Sequence, residues 1–552
     1  MLKAVTPDML DAKTPPDVII QAEARHPETD PTLGIPVTVD RTGTPRHRLV
    51  TLGDSLTQGF QSGAIFKTNL SYPSLIAQEL GWQNQFRYPA YNSPGDGLPL
   101  NLESLARSLE SQFGDKIDWY ELPGAAFFVN GYLNDIENYW ERGAGSTLPD
   151  PKGAINHNLA VYGWDLRNTL SRNADIAQAV LKANPPQDSL GERITDPIGQ
   201  ITSYHNERAT LRVLNSARNA SGAALSPVQA AAALGAESGQ GTSDGIETLI
   251  VMIGANNALG SILTFNVSWS GDDYRDQDKN NKYTVWRPIH FKAELDLLVA
   301  EVKKVQARHV IFATVPHVTI APYARGVDRK VRPDSRYYPF YTLPWISDQA
   351  FDANNPKKYP RLTEQEARAI DSAIDQYNEA IVDAVKTARL QGKNWYLFEL
   401  SGLLDRVAFR RYLTPGLEEA RPSWWDAVGG KYELPPALQA LTPDLDSRFF
   451  SSSAKGRTQG GIFALDGIHP TTVGYGIMAQ ELIKIMQLAG VKFYGSDGQT
   501  ERQGNIKIDF NRLLQLDTLI QNPPRSIAND LSLLRWLDET FNIFGRLLRS
   551  TF

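Results

Sequence analysis

The chain has 552 residues, with 56 Lys and Arg against 62 Asp and Glu for a formal charge of −6, and 41% of its residues are hydrophobic. That balance excludes an intrinsically disordered chain and the basic field of a nucleic-acid binder. Cysteine is absent, which rules out disulfides, thiolate nucleophiles, zinc–thiolate centres and iron–sulfur clusters.

Residues 1–47 read as an N-terminal extension, where Pro and Asp interrupt the apolar stretch that a secretory leader needs. The longest strongly apolar run, Leu249 to Ala255, falls far below the roughly 18–20 residues that span a bilayer. The expectation is a cytoplasmic protein without a transmembrane segment, or a secreted one if a leader has been removed. Arg48 to Leu52 reads as a strand ending in a glycine turn, and Ser71 to Gly81 as the helix after it. Thr248 to Ile253 is an apolar strand with no polar face, as expected of a strand buried on both sides. A helical stretch from Phe291 to Gln306 leads to a third strand, Val310 to Val315. A long amphipathic helix, Thr363 to Thr387, leads to a fourth, Trp395 to Glu399, and Thr471 to Leu488 is a last helix of the core. This alternation predicts an α/β fold with a central parallel sheet covered by helices on both sides. The long connections near 86–154, 170–246, 260–289, 317–361 and 400–462 read as insertions into one domain spanning 48–490. Residues 491–552 form a helical C-terminal extension, whose final stretch places Leu534, Leu537, Phe541, Phe544 and Leu548 at helical spacing. That stripe suits packing on the core or a second subunit, with peripheral membrane contact as the alternative.

The sharpest local feature is GDSLTQG, Gly53 to Gly59. A strand stops, glycine allows a tight turn, and Ser55 stands where a helix begins, among free N–H groups that stabilise negative charge. Alone, Ser55 reads better as a helix N-cap than as a nucleophile. Far along the chain, LDGIHP places Asp466 three residues before His469 in a turn closed by Pro470. Such a turn can set the carboxylate on the imidazole, fixing its tautomer and stabilising imidazolium. His317 is the best rival base and otherwise reads as an edge residue or a substrate contact. Two further blocks lie between them. NLAVYG ends at Gly163, whose N–H can face an oxyanion, and IGANN ends the strongest strand and offers the amide of Asn256. Each of these has a bland reading too, as a turn glycine and a strand-end cap.

In that order, GDSLTQG, NLAVYG, IGANN and DGIH resemble the four signature blocks of the SGNH (GDSL) hydrolase superfamily. The resemblance covers about half the chain. It implies a flavodoxin-like three-layer α/β/α sandwich and a serine ester hydrolase working through an acyl-Ser55 intermediate. Ser55 is then the nucleophile, His469 the general base and Asp466 its orienting acid. The backbone N–H of Ser55, the N–H of Gly163 and the side chain of Asn256 form the oxyanion hole. No metal or organic cofactor is implied, and the partner is a small-molecule or lipid acyl ester. Two features depart from the family pattern. Asn257 stands where an Asp is usual, and 108 residues separate Ser55 from Gly163 and 213 separate Asn256 from His469, both long intervals. The superfamily spans lipases, carboxylesterases, carbohydrate deacetylases and thioesterases, and a non-catalytic binding protein on the same scaffold is the rival from another class. The apolar insertions tilt the expectation toward a lipolytic carboxylesterase.

Other signals are set aside. Gly241 to Gly245 matches Gly-x-Ser-x-Gly, but a strand follows its serine where that elbow needs a helix. Asp276 to Asn281 begins like a calcium loop, yet Asn281 replaces the glycine and Arg287 the bidentate glutamate. Trp140, Trp269, Trp286, Trp345, Trp424 and Trp425 either line an acyl or sugar site or form the cores of the insertions.

Overall fold

Four apolar segments build the central sheet, and the order in which they associate places the candidate residues. The computed structural model describes residues 4–39, 42–91, 97–186, 202–237, 243–276, 282–414, 420–528 and 530–549. Along the chain, β1 (Pro45–Gly53) is followed by the four-residue helix α1 (Ser55–Gln58) and by α2 (Tyr72–Glu79). The first insertion contributes α3 (Leu102–Phe113) and α4 (Leu122–Glu141), and α5 (Pro227–Gly235) precedes β2 (Ser243–Met252). Then come α6 (Asn256–Thr264), α7 (Pro288–Val302), β3 (Ala307–Ala313), α8 (Glu364–Leu390) and β4 (Trp395–Phe398). The chain continues through α9 (Thr472–Ala489) and ends in α10 (Ser532–Phe541) and α11 (Ile543–Arg549).

The four strands pair in the order β1-β2-β3-β4, all parallel. Beyond β1, residues 157–161 run alongside its outer edge. Thr51 N donates to the His157 carbonyl at 2.9 Å, and Leu159 N donates to the Thr51 carbonyl at 2.9 Å. Side chains alternate across the sheet, as period-2 geometry requires. Val50, Leu52, Leu249, Val251, Val310 and Phe312 enter one buried cluster, which α5, α7 and α8 cover. Leu49, Ile250, Met252, Ile311 and Ala313 enter a second, covered by α2 and α9. Each fully buried Val, Leu, Ile or Phe stabilises the fold by roughly 1.5–3 kcal/mol, so both faces hold the sheet in place.

The insertions and extensions bear on this core directly. Leu105, Leu109, Val129, Leu133, Ile136 and Trp140 of α3 and α4 belong to the same cluster as Val50. The N-terminal segment covers the free edge of β4, where Leu397 N donates to the Pro31 carbonyl at 2.9 Å, and Arg25 pairs with Glu399 at 2.7 Å. Covering an edge in this way blocks intermolecular strand pairing. The C-terminal stripe is not one helix. Asn542, at φ +49°, breaks it into α10 and α11, and asparagine tolerates that left-handed conformation better than most residues. Leu534, Leu537, Phe541 and Phe544 are buried against the rest of the chain. Of the two readings of the insertion tryptophans, packing fits the structure: Trp140, Trp286, Trp345, Trp424 and Trp425 are buried, and Trp269 is half-buried. Ser243 opens β2, so no helix follows it, and residues 241–242 of that motif and 277–281 of the calcium-like loop lie outside the described residues. Among the described residues, no helix is long and apolar enough to cross a membrane.

Candidate active site

The nucleophile candidate sits at the carboxyl end of β1, where the chain has no room for a side chain at Gly53. A Cβ there would lie 2.5 Å from the Met252 carbonyl and closer still to Thr57, so only glycine lets β1 pass β2 at this point. Asp54 caps α1 by accepting from Leu56 N at 3.1 Å, which makes Ser55 the first residue of the helix. The histidine turn is held just as firmly. Thr471 caps α9, Ala464 N donates to the His469 carbonyl at 2.8 Å, and Gly467 takes φ +68° with the Phe449 ring packed against it.

These two turns meet. His469 Nε2 lies 2.8 Å from Ser55 Oγ, and His469 Nδ1 lies 3.1 Å from Asp466 Oδ2. All three residues are buried, with Ser55 at 6% exposure and Asp466 at none. Asp466 Oδ1 accepts from the backbone N–H groups of Ile468 and His469, and Oδ2 accepts from Gly63 N at 3.0 Å. Burial works against ionisation of this carboxyl, but the His469 ring and the backbone N–H groups hold it below the usual carboxylate range. An ionised Asp466 requires Nδ1 of His469 to carry the proton. Nε2 is then left as the acceptor for the Ser55 hydroxyl, the tautomer a general base needs. The Phe60 ring, 4.6 Å from the imidazole, walls one side. Leu547 of α11 and Leu102 pack against Gly63, so the C-terminal helix abuts the turn that holds the acid.

Gly163 and Asn256 are tied to this turn through their neighbours. Gln58 Oε1 accepts from Tyr162 N at 2.7 Å, anchoring the residue before Gly163 to the end of α1. Gly163 has φ +77°, which only glycine adopts freely. Asn256 Nδ2 donates to the Trp164 carbonyl at 2.7 Å, and Asn257 Oδ1 accepts from Leu166 N at 3.1 Å. Asn257 therefore supplies the acceptor that a carboxylate would supply, at the expense of a buried Nδ2 with no partner among the described residues. Two positioning residues escaped the sequence reading although they lie inside its motifs. One is Gln58. The other is Asn158, which accepts from Thr51 Oγ1 at 3.1 Å and donates to the Thr57 carbonyl at 3.0 Å. For Asn158, a polar side chain beside the apolar run Leu159 to Val161 was the available signal.

His317 is neither an edge residue nor a substrate contact. It lies buried between Asp405 and Asp375, at 2.9 and 3.0 Å, with both ring nitrogens occupied. Compared with models of known protein families the chain matches none, and no curated protein matches it. What the site can do follows from its own geometry: a buried hydroxyl, an imidazole able to take its proton, and a carboxylate that stabilises the resulting cation.

Proposed function

We propose that the chain is a serine ester hydrolase of the SGNH (GDSL) type, most simply a lipolytic carboxylesterase. The observation that carries this reading is the unbroken Ser55–His469–Asp466 chain at 2.8 and 3.1 Å. His469 takes the Ser55 proton as the oxygen attacks the ester carbonyl, returns it to the leaving alcohol, and then activates water against the acyl-Ser55. The N–H groups of Ser55 and Gly163 and the amide of Asn256 receive the oxyanion.

A flavodoxin-like three-layer core is part of the proposal. Counting residues 157–161 as the second strand position, the sheet runs 2-1-3-4-5 in chain order. Ser55 and Asn256 then follow the two strands that flank the reversal of that order, where open α/β sheets bind ligands. Support for an apolar acyl ester comes from the segment joining α3 to α4 and the first turns of α4. There Trp119, Tyr120 and Phe127 are 82%, 64% and 82% exposed, an aromatic surface suited to lipid. The test is hydrolysis of p-nitrophenyl esters from acetyl to lauroyl, with fluorophosphonate labelling of wild type and Ser55→Ala. Labelling that disappears in the variant supports the enzyme. Folded wild-type protein that neither labels nor hydrolyses would favour a binding protein on this scaffold, and a preference for acetylated sugars or thioesters would move the substrate class.

A further inference from the structure

Behind the histidine turn lies a cavity of about 460 Å³ that the proposed ester hydrolysis does not use. Phe449 separates the two. Its ring packs on Gly467 between Asp466 and His469, and it also lines the cavity. Six cationic side chains line this space, Arg325, Lys330, Arg336, Arg410, Arg411 and Arg448, and among the described residues no carboxylate does. Carboxylates outside the lining match three of them. Asp348 pairs with Arg325 at 2.7 Å, Asp371 with Arg411 at 2.9 Å and Asp446 with Arg448 at 2.6 Å.

Among the described residues, the remaining three cations hydrogen-bond only to neutral groups, with Asp371 and Asp375 acting on Arg336 through space. Lys330 donates to the Arg336 carbonyl at 2.5 Å, Arg410 to the Gly326 carbonyl at 2.9 Å, and Arg336 to the Tyr337 hydroxyl at 2.6 Å. The Nε of Arg336 is buried with no hydrogen-bond partner among the described residues. Burial, reinforced by Arg411, Arg410 and Arg336, pushes the Lys330 ammonium well below the ordinary lysine range. Of the six cations, three are held in ion pairs and three form none among the described residues. Cations gathered on one space with only part of their charge paired favour a ligand that brings negative charge.

We propose that this cavity binds the phosphoryl group of a phosphorylated small molecule or lipid headgroup. A phosphoryl group brings a charge of about −1.5 to −2 and three acceptor oxygens for the guanidinium forks, more than a single carboxylate offers. The cavity is larger than phosphate alone, and Tyr338, Tyr341 and Phe409 offer aromatic walls for the organic remainder. The site is independent of the chemistry at Ser55.

The test uses the full chain, with inorganic pyrophosphate as the probe in titration calorimetry at constant ionic strength. In parallel, sedimentation is measured with phosphatidic acid and phosphatidylcholine vesicles. Saturable pyrophosphate binding is expected, weakened at least tenfold in Lys330→Met and in Arg410→Gln. The Arg410 side chain is exposed, so its variant keeps the fold if Lys330→Met does not. Ser55→Ala should bind as wild type does, so a failed esterase assay and a failed anion site are distinguishable. Binding to phosphatidic acid vesicles that pyrophosphate displaces assigns the phosphoryl group to a lipid; pyrophosphate binding without vesicle binding assigns it to a soluble ester. Absence of saturable binding to either probe, or affinities within twofold of wild type in both variants, would overturn the proposal.

Discussion

Two histidines of this chain stand against buried aspartates, and they differ in what faces the second ring nitrogen. His469 has Asp466 on Nδ1 and a hydroxyl on Nε2, whereas His317 has Asp405 on one nitrogen and Asp375 on the other. Burial opposes a charge on His317, yet Asp405, Asp375 and Asp371 together hold its imidazolium up to about 10. A ring locked between two carboxylates stays protonated and cannot accept a proton at neutral pH. A ring with one carboxylate and one hydroxyl keeps a lone pair directed at the group it would deprotonate. The number of carboxylates around a histidine, rather than its burial, separates a structural cation from a base.

The comparison can be broken most decisively at the catalytic side. Ser55→Ala and His469→Ala should each lower ester hydrolysis by about 10⁴–10⁶-fold, while the urea midpoint stays where it was. Loss of stability in step with loss of activity would make this cluster structural, like the other. Asp466→Asn should cost roughly 10³–10⁴-fold in kcat because the amide no longer fixes the tautomer. Fluorophosphonate labelling rates measure it, and labelling at the wild-type rate would remove Asp466 from the mechanism.

At the other histidine the effect moves from rate to stability. His317→Phe leaves two buried carboxylates without their cation, a loss of about 3–5 kcal/mol in denaturant unfolding. The folded-state value is raised above the ordinary histidine value of 6.5. The stabilisation His317 supplies is therefore complete below about 6.5 and declines as pH rises toward about 10. The wild-type minus variant difference should shrink over that window. A difference that grows with pH would mean His317 is held neutral.

How far these features could be read in advance depended on whether they were local. GDSLTQG and IGANN each join an apolar strand to a glycine turn and a helix, so both announced their elements. Helix α4 was hidden because Pro123, Gly124 and Gly131 interrupt an apolar face that is completed only against Val50 and its neighbours. The break at Asn542 was invisible because the apolar spacing continues across it. His317 was misread since its acids, Asp375 and Asp405, lie 58 and 88 residues away. The cationic cavity draws on residues from 319 to 531, and no stretch of sequence carries its set of cations.

The smallest effect concerns the carboxyl beside the nucleophile. Asp54 is as buried as Asp466 but accepts from one backbone N–H, that of Leu56, where Asp466 accepts from three and from the imidazole. Burial therefore wins at Asp54 and pushes it up to about 7, against the Leu56 bond and the His469 charge. A carboxyl raised in the folded state holds its proton more tightly there than when unfolded. Its contribution to stability is therefore full below 3.8, falls as pH rises toward about 7, and is level above. Asn at position 54 keeps an acceptor for Leu56 and removes the ionisation. Relative to wild type, Asp54→Asn should gain on the order of 2–4 kcal/mol between pH 4 and pH 8. Urea unfolding of both proteins at pH 4, 6 and 8 measures this, and parallel stability curves would mean that Asp54 ionises as freely as Asp466 does. A hydrolysis rate that falls only a few-fold in the variant would place the carboxylate outside proton transfer and leave Asp466 as the acid on which the imidazolium depends.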